Sequence, residues 1–558
     1  MENAGRFTSC RGVSFEIQSH APRPSSLNPA PSADETQLQQ ARRAWLSWNQ
    51  DSIPSNLRSF HRSISRSISK SLSRQSSNYC DIDDDDASFI IIEGNEEEEE
   101  EEEEESHDVE KQRPRPPSKR EQPPPKLKQS RLAVILLDQG LFTVYKRLFV
   151  LCILANVTCL ALAATGNFPY ARNRPTLFSI GNILALVLCR SEALLRIIFW
   201  ITVKVLGKSW VPLSFKTATT SFLQCLGGIH SGCGVSSIIW LVYALVLTLR
   251  NRDNTSTAII AVASSILSLL CLSSLAAFPL VRHLHHNAFE RTHRFAGWTA
   301  LLLVWAFIFL TISYDPVTKS YHHVLVSRLI KTQEFWFTLA ITIVIILPWL
   351  TIRRVAVKIT CPSGHASIIK FEGGVEAGML GRISPSPLSE WHSFGIISDG
   401  KKDHMMLAGA VGDYTKSLVS NPPSHLWVRE VHFAGLPYLV KMYDRVLLVA
   451  TGSGICVFLS YLLQPCTTQV CVLWVAKSIE QNFGKEITDA ISNYPSDKVI
   501  IHDTAISGRP NVPQLTVDAA KRWESQVVIV TSNPEGSRDI VNACCGAGIA
   551  AFGPIWDS

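Results

Sequence analysis

The run RVLLVATGSGICVFLSYLLQ, residues 445–464, decides how the C-terminal half is read. Its apolar, β-branched start predicts a buried strand, Thr451-Gly452-Ser453-Gly454 predicts a tight turn, and VFLSYLLQ predicts a helix. Further apolar strands follow at 470–476 (VCVLWVA), 498–502 (KVIIH) and 526–531 (QVVIVT), with helical stretches between them. Such alternation is the pattern of a parallel α/β nucleotide-binding domain, which takes in 441–558. Glycines in the first turn let the backbone approach a pyrophosphate, and a helix N-terminus favours anionic charge. A tight turn without a ligand has the same pattern.

Working outward, residues 353–440 carry short β-rich runs between Gly and Pro turns, which predicts an antiparallel barrel. Residues 131–352 hold six apolar runs, near 148–165, 177–201, 221–249, 258–281, 295–313 and 334–352, each close to the roughly 20 residues that cross a bilayer. The expected fold class is therefore an α-helical membrane bundle of about six spans, then a β-barrel, then an α/β domain. Residues 1–130 read as a disordered tail: Ser-rich and basic, then acidic, then Pro-rich. Its Arg-x-x-Ser spacings suit kinases.

Only 18% of the residues are charged and 46% are hydrophobic, which excludes an ordinary soluble enzyme and a wholly disordered chain. Asp81–Glu110 holds 18 acidic residues and no Lys or Arg, so the rest of the chain is cationic. That excess suits anionic membrane lipid and implies no nucleic acid. Lys146, Arg147, Lys204, Lys208 and Lys216 fall on the segments assigned to the cytosol, which puts both termini there. The fourteen Cys form no CxxC pair, and the polar N-terminus lacks a signal-peptide pattern.

Two further segments precede the glycine turn: Trp391-His392-Ser393-Phe394-Gly395 and Gly412-Asp413-Tyr414-Thr415-Lys416. In this order, the three segments resemble those of ferredoxin-reductase-type flavoproteins. With the spans before them, residues 135–558 are similar to ferric reductases and NADPH oxidases, and the segments Cys189-Arg190-Ser191-Glu192, 287–294 (NAFERTHR) and 552–558 (FGPIWDS) resemble those of the TmpA-like membrane flavoproteins of fungi and plants. In that group the same region is sometimes joined to an adenylate-forming domain, of which no motif is seen here. The resemblance implies FAD on the barrel, with His392, Ser393, Phe394 and Gly395 along flavin and ribityl, and Gly412, Tyr414, Thr415 and Lys416 near the pyrophosphate. It implies NADPH or NADH on Thr451, Gly452, Ser453 and Gly454, with Lys477 near a 2′-phosphate, and Trp556 as a flavin cover. Ser393 replaces the usual Pro, Gly395 replaces a Ser or Thr, and the Cys-Gly-Pro segment is absent.

The related membrane reductases hold two haems between two spans that each provide two His. Here His230 and His293 are single, with Tyr243 and Ala306 or Phe307 at the second positions. The pair is either the ligand set of one haem b, or His230 is a polar residue at a helix interface and His293 a loop residue that meets lipid phosphate beside Arg291 and Arg294. Gly227, Gly228, Gly232 and Gly234 admit a flat macrocycle or a second helix. Arg190 and Glu192 stand inside the second apolar run, where a charge is costly without a partner. The resulting expectation is an NAD(P)H-dependent oxidoreductase of the plasma membrane serving an unknown electron acceptor. The alternative is a degenerate flavin- or nucleotide-binding sensor or scaffold.

Overall fold

The computed structural model describes residues 139–278, 281–282, 286–323 and 326–554. The tail, His283, His285 and Trp556 lie outside them.

Among the described residues, five helices are long and apolar enough to cross a membrane: Val144–Ala164 within α1 (Gln139–Ala164), α5 (Leu226–Arg250), α6 (Thr257–Ala276), Ala288–Ser313 within α7 (His286–Ser313) and α8 (Gln333–Leu350). The second expected span is not one helix. It divides into α2 (Pro175–Leu188) and α3 (Glu192–Leu206) at Cys189-Arg190. Ser191 caps α3 by accepting from the Leu194 N–H, and Glu192 stands in its first turn, where a negative charge meets the helix dipole. The two charges that a continuous span would have buried in hydrocarbon thus sit at a break. With 14 residues, α2 is about 21 Å long.

Helix α5 lies directly on α1. A Cβ at Gly228 would collide with the Tyr145 carbonyl oxygen, and one at Gly232 would fall 2.8 Å from Cys152 Cβ. These two glycines therefore serve a helix contact. The far half of the bundle is filled by Trp240, stacked 4.7 Å from Phe178, with Tyr243 edge-on to it. The Trp240 indole and the Asn182 amide both donate to Asn156 Oδ1.

The β-rich segment is an antiparallel sheet of β1 (Ile352–Ala356), β2 (Lys358–Ser363), β3 (Ala366–Glu372), β4 (Met379–Ser384), β5 (His392–Ser398), β6 (Asp403–Gly409), β7 (His425–Arg429) and β8 (Phe433–Ala434). Its order is β1-β7-β4-β5-β6-β3-β2, with β8 on β4. Strands β1 and β2 are its two ends, so the expected antiparallel barrel is present as a curled half-barrel. The C-terminal unit is a parallel sheet ordered β11-β10-β9-β12-β13, built from β9 (Arg445–Thr451), β10 (Gln469–Ala476), β11 (Val499–Asp503), β12 (Val527–Thr531) and β13 (Ala551–Phe552). Every β9 residue from Val446 to Ala450 is fully buried, as a central strand covered on both faces requires.

Candidate functional site

The glycine turn differs from its expected form. Gly452–Val457 is a 3-10 helix and Ser460–Leu463 a single α-turn, so no long helix aims its N-terminus at a ligand. Gly452 takes φ +53°, which favours glycine, and its carbonyl accepts from the Trp474 indole. A Cβ at Gly454 would stand 2.7 Å from the Thr531 carbonyl oxygen, so the crevice between β9 and β12 is closed by direct packing. Thr451 bonds Ser532 across it at 2.8 Å. Ser453 is buried, with its hydroxyl unpartnered.

The half-barrel covers this turn. Ser460 Oγ donates to the Ile396 carbonyl at 2.7 Å and accepts from the Ser398 N–H at 3.0 Å. Gln464 accepts from the Ala377 N–H and donates to the Val375 and Ser398 carbonyls. Lys477 follows the end of β10. The next two amides, of Ser478 and Ile479, are already held by the Asp503 carboxylate at 2.8 Å each. Burial acts to raise the Asp503 pKa, but these amides and that of Ala505 hold it below the ordinary carboxyl range. Thr451, Gly452, Ser453 and Gly454 thus lie packed beneath the half-barrel, and Lys477 stands beside two amides that Asp503 already holds.

The segments assigned to FAD do converge. Strand β5 places His392 against Tyr414 of helix α9 (Asp413–Ser420), with rings stacked 4.3 Å apart. Thr415 Oγ1 accepts from the Val411 and Gly412 amides and thereby fixes the entry to α9. The Tyr414 hydroxyl is buried with no hydrogen-bond partner among the described residues, and burial pushes its pKa up. Lys416 is exposed on the same helix. A stacked ring pair, an orphan phenol and a helix start suit a flavin nucleotide in chemical kind. Phe394, by contrast, belongs to the half-barrel core, and Ser393 is only partly buried.

A cavity of about 800 Å³ lies in the bundle, with Arg294 and Arg429 among its lining. His230 of α5 and His293 of α7 face each other across it, with ring centroids 6.3 Å apart. His230 Nδ1–H donates to the Leu186 carbonyl at 2.9 Å. His293 Nδ1 lies 2.8 Å from Ser273 Oγ and 3.3 Å from the Ser273 carbonyl. Each ring is thus oriented through Nδ1, and Nε2 is the atom through which either could hold a metal, as orienting bonds at the other ring nitrogen allow. His230 and His293 are the residues that would hold a haem iron in this cavity, where it would supply one-electron chemistry.

Gly234 and Gly297 stand one turn beyond the two histidines, line the same cavity and have nothing within 4 Å of a built Cβ. The sequence carries this as a repeated His-x-x-x-Gly, of which Gly234 alone stands out among neighbouring glycines. Arg190 exposes its side chain to the cavity and makes no side-chain hydrogen bond or ion pair among the described residues. A flat macrocycle with acidic substituents suits this lining. Glu192, the other charge of the pair, is instead clamped by Arg382 at 2.5 Å and Arg429 at 3.0 Å.

The likenesses to known proteins differ in extent, from the last 123 residues to about three quarters of the chain. Residues 436–558 match the family model described as the C-terminal domain of adenylate-forming reductase 03009. Adenylate-forming reductase 03009 of Coprinopsis cinerea is 35% identical over 435 residues, covering 76% of this chain and 41% of that protein. Adenylate-forming reductase 06235 of the same fungus is 34% identical over 436 residues, with the same coverage. Among solved structures, phthalate dioxygenase reductase aligns with 13% identity and a TM-score of 0.30, over 36% of this chain and 67% of that one. Amycolatopsis cytochrome P450 reductase GcoB aligns with 11% identity and a TM-score of 0.28, over 37% and 71%. The chain spans about two-fifths of the length of the curated relatives it matches, and what it shares with them includes a reductase-named C-terminal region.

Proposed function

We propose that the chain is a membrane flavin-dependent oxidoreductase, passing electrons from NAD(P)H via FAD to an acceptor at the membrane, with one haem b between His230 and His293. The observation that carries this reading is the cavity with two Nδ1-anchored imidazoles, paired open glycines and an arginine without a side-chain partner among the described residues. Bound haem supplies one-electron chemistry, whose potential its axial ligands and surroundings set. His230 and His293 would hold the iron, and Arg190 would meet an acidic substituent. The flavin would lie along His392 and Tyr414, with Lys416 toward its phosphates. Trp240 and Tyr243 fill the space where a matching site in the far half would lie, so the acceptor is reached from the half-barrel side.

The proposed setting is a multi-pass protein of the plasma membrane with both termini cytosolic, which requires α2 to act as a sixth, short crossing. The test is an absorption spectrum of the detergent-purified full chain, before and after NADPH. A flavin band that bleaches, together with a Soret band, is the expected result. Flavin without a Soret band would remove haem, and no flavin in folded protein would remove the enzyme.

A second reading, a flavin- or nucleotide-binding sensor or scaffold without turnover, is favoured by the closed glycine turn under β5. In this reading the turn is a packing element, held under the half-barrel through Gly395 and Ser460. Flavin that stays oxidised under NADPH would select this reading.

A further inference from the structure

Helix α3 has two apolar faces. Leu195, Ile198, Phe199, Val203 and Leu206 pack on the half-barrel core. The opposite stripe, Ile197, Trp200, Ile201 and Val205, is 47–54% exposed. These positions follow the i, i+3, i+4, i+8 spacing of one helix face, and Lys204 and Lys208 interleave with them. The Lys204 ammonium sits 4.8 Å from the Trp200 ring centre. Beyond α3, the turn to α4 (Leu213–Gln224) carries Trp210, 78% exposed, and α4 continues the surface with Phe215 and Phe222.

The inner side of this elbow is already committed. Thr220 bonds the Tyr443 hydroxyl at 2.7 Å, and Gln224 donates to the Gly553 carbonyl at 3.0 Å. The outer side is held by nothing among the described residues. Its two ends are apolar bundle helices: α2 leads in through Cys189–Ser191, and α4 runs through Cys225 into α5. The stripe is therefore continuous with the bundle surface at the end where the half-barrel sits.

We propose that α3 and the α3–α4 elbow lie in the plane of the bilayer surface, with the apolar stripe in the headgroup–acyl boundary of anionic phospholipid. An in-plane amphipathic helix has this composition: aromatic and aliphatic anchors on one face, lysines at its margin. Tryptophans prefer that depth because the ring is apolar and its N–H is polar. Lys204 and Lys208 supply the charge complement to acidic headgroups. Glu192 at the start of α3 is clamped by Arg382 and Arg429, so the lipid-bound helix sets the height of the half-barrel over the membrane.

The test uses the full chain in nanodiscs of phosphatidylcholine, with and without phosphatidylserine. Exposed Cys361 and Cys545 are replaced by Ser, and a nitroxide is placed on Val205→Cys. A second chain carries the label on Ile506→Cys, at an exposed site of the α/β unit. The parent without either added cysteine gives the background. At position 205 oxygen collisions should exceed nickel-chelate collisions, at 506 the reverse should hold, and Lys204→Glu/Lys208→Glu should shift 205 toward 506 only with phosphatidylserine present. Equal accessibility at 205 and 506, or no response to phosphatidylserine, would overturn the proposal.

Discussion

Gly395 of β5 lies so close to Val457 that a Cβ on it would stand 2.7 Å from the Val457 backbone nitrogen and α-carbon. At this position the half-barrel and the α/β unit are in direct contact. Gly395→Ser should therefore destabilise the chain by about 1–3 kcal/mol through overpacking. The check is the thermal midpoint of the full chain in detergent. An unchanged midpoint would mean that the contact opens at little cost.

Gln464 is the second clasp of that interface. Its amide satisfies one N–H and two carbonyls of the half-barrel, at 3.1, 2.8 and 2.8 Å. Gln464→Ala leaves these groups unpaired and should cost about 3 kcal/mol. The midpoint should fall without loss of secondary structure, as circular dichroism would report.

Much of this was legible in the sequence because burial writes a period into it. The runs at 445–451, 470–476 and 526–531 have the unbroken apolar character of central strands, and they pair in parallel as expected. Five of the six apolar runs contain helices long enough to cross a membrane. The sixth failed for a reason also written there, since Arg190 and Glu192 mark the break between α2 and α3. Two features were not legible. The glycine turn looks the same whether it cradles a phosphate or packs beneath a strand, and the difference lies in Gly395 and Thr531, far away in sequence. Gly297 is one more helical glycine in the sequence, and its significance depends on the cavity it shares with Gly234.

Glu192 carries two guanidinium partners, and its side chain is 11% exposed against 16% for Arg429 and 30% for Arg382. Arg429 also covers the Trp391 ring at 4.8 Å. Removing the carboxylate leaves two like charges facing each other in a largely dry contact. Glu192→Ala should cost about 3 kcal/mol. Adding Arg429→Met to it should recover part of the loss, and a midpoint that does not recover would show that the cluster is not an electrostatic unit.

The half-barrel should loosen in acid at the contact with α3. His432 is pushed down to about 4, first by burial, then by His404, 5.5 Å away ring to ring, and by Arg196. The unfolded chain takes up this proton near about 6.5, the folded chain only near 4. Stability from this group is thus present above about 6.5 and is lost as pH falls through that window. The midpoint should drop between pH 7 and pH 5, and His432→Gln should show a smaller drop. An identical pH dependence in the variant would assign the effect to other groups, His404 first.

The two imidazoles of the bundle predict a graded set of spectra. His230→Ala and His293→Ala each remove one ring of the facing pair, so each should abolish the Soret band of the purified chain. Ser273→Ala removes only the hydroxyl beside His293 Nδ1 and keeps the Ser273 carbonyl at 3.3 Å. It should retain the band but weaken haem retention by about tenfold or more, the usual cost of losing an orienting partner. Tyr243→His restores a histidine thirteen residues after His230, yet it should add no second haem, because Trp240 and Phe178 already fill that half of the bundle. A band that survives both alanine variants would place the haem elsewhere. A second band in Tyr243→His would show that the aromatic packing yields to a macrocycle.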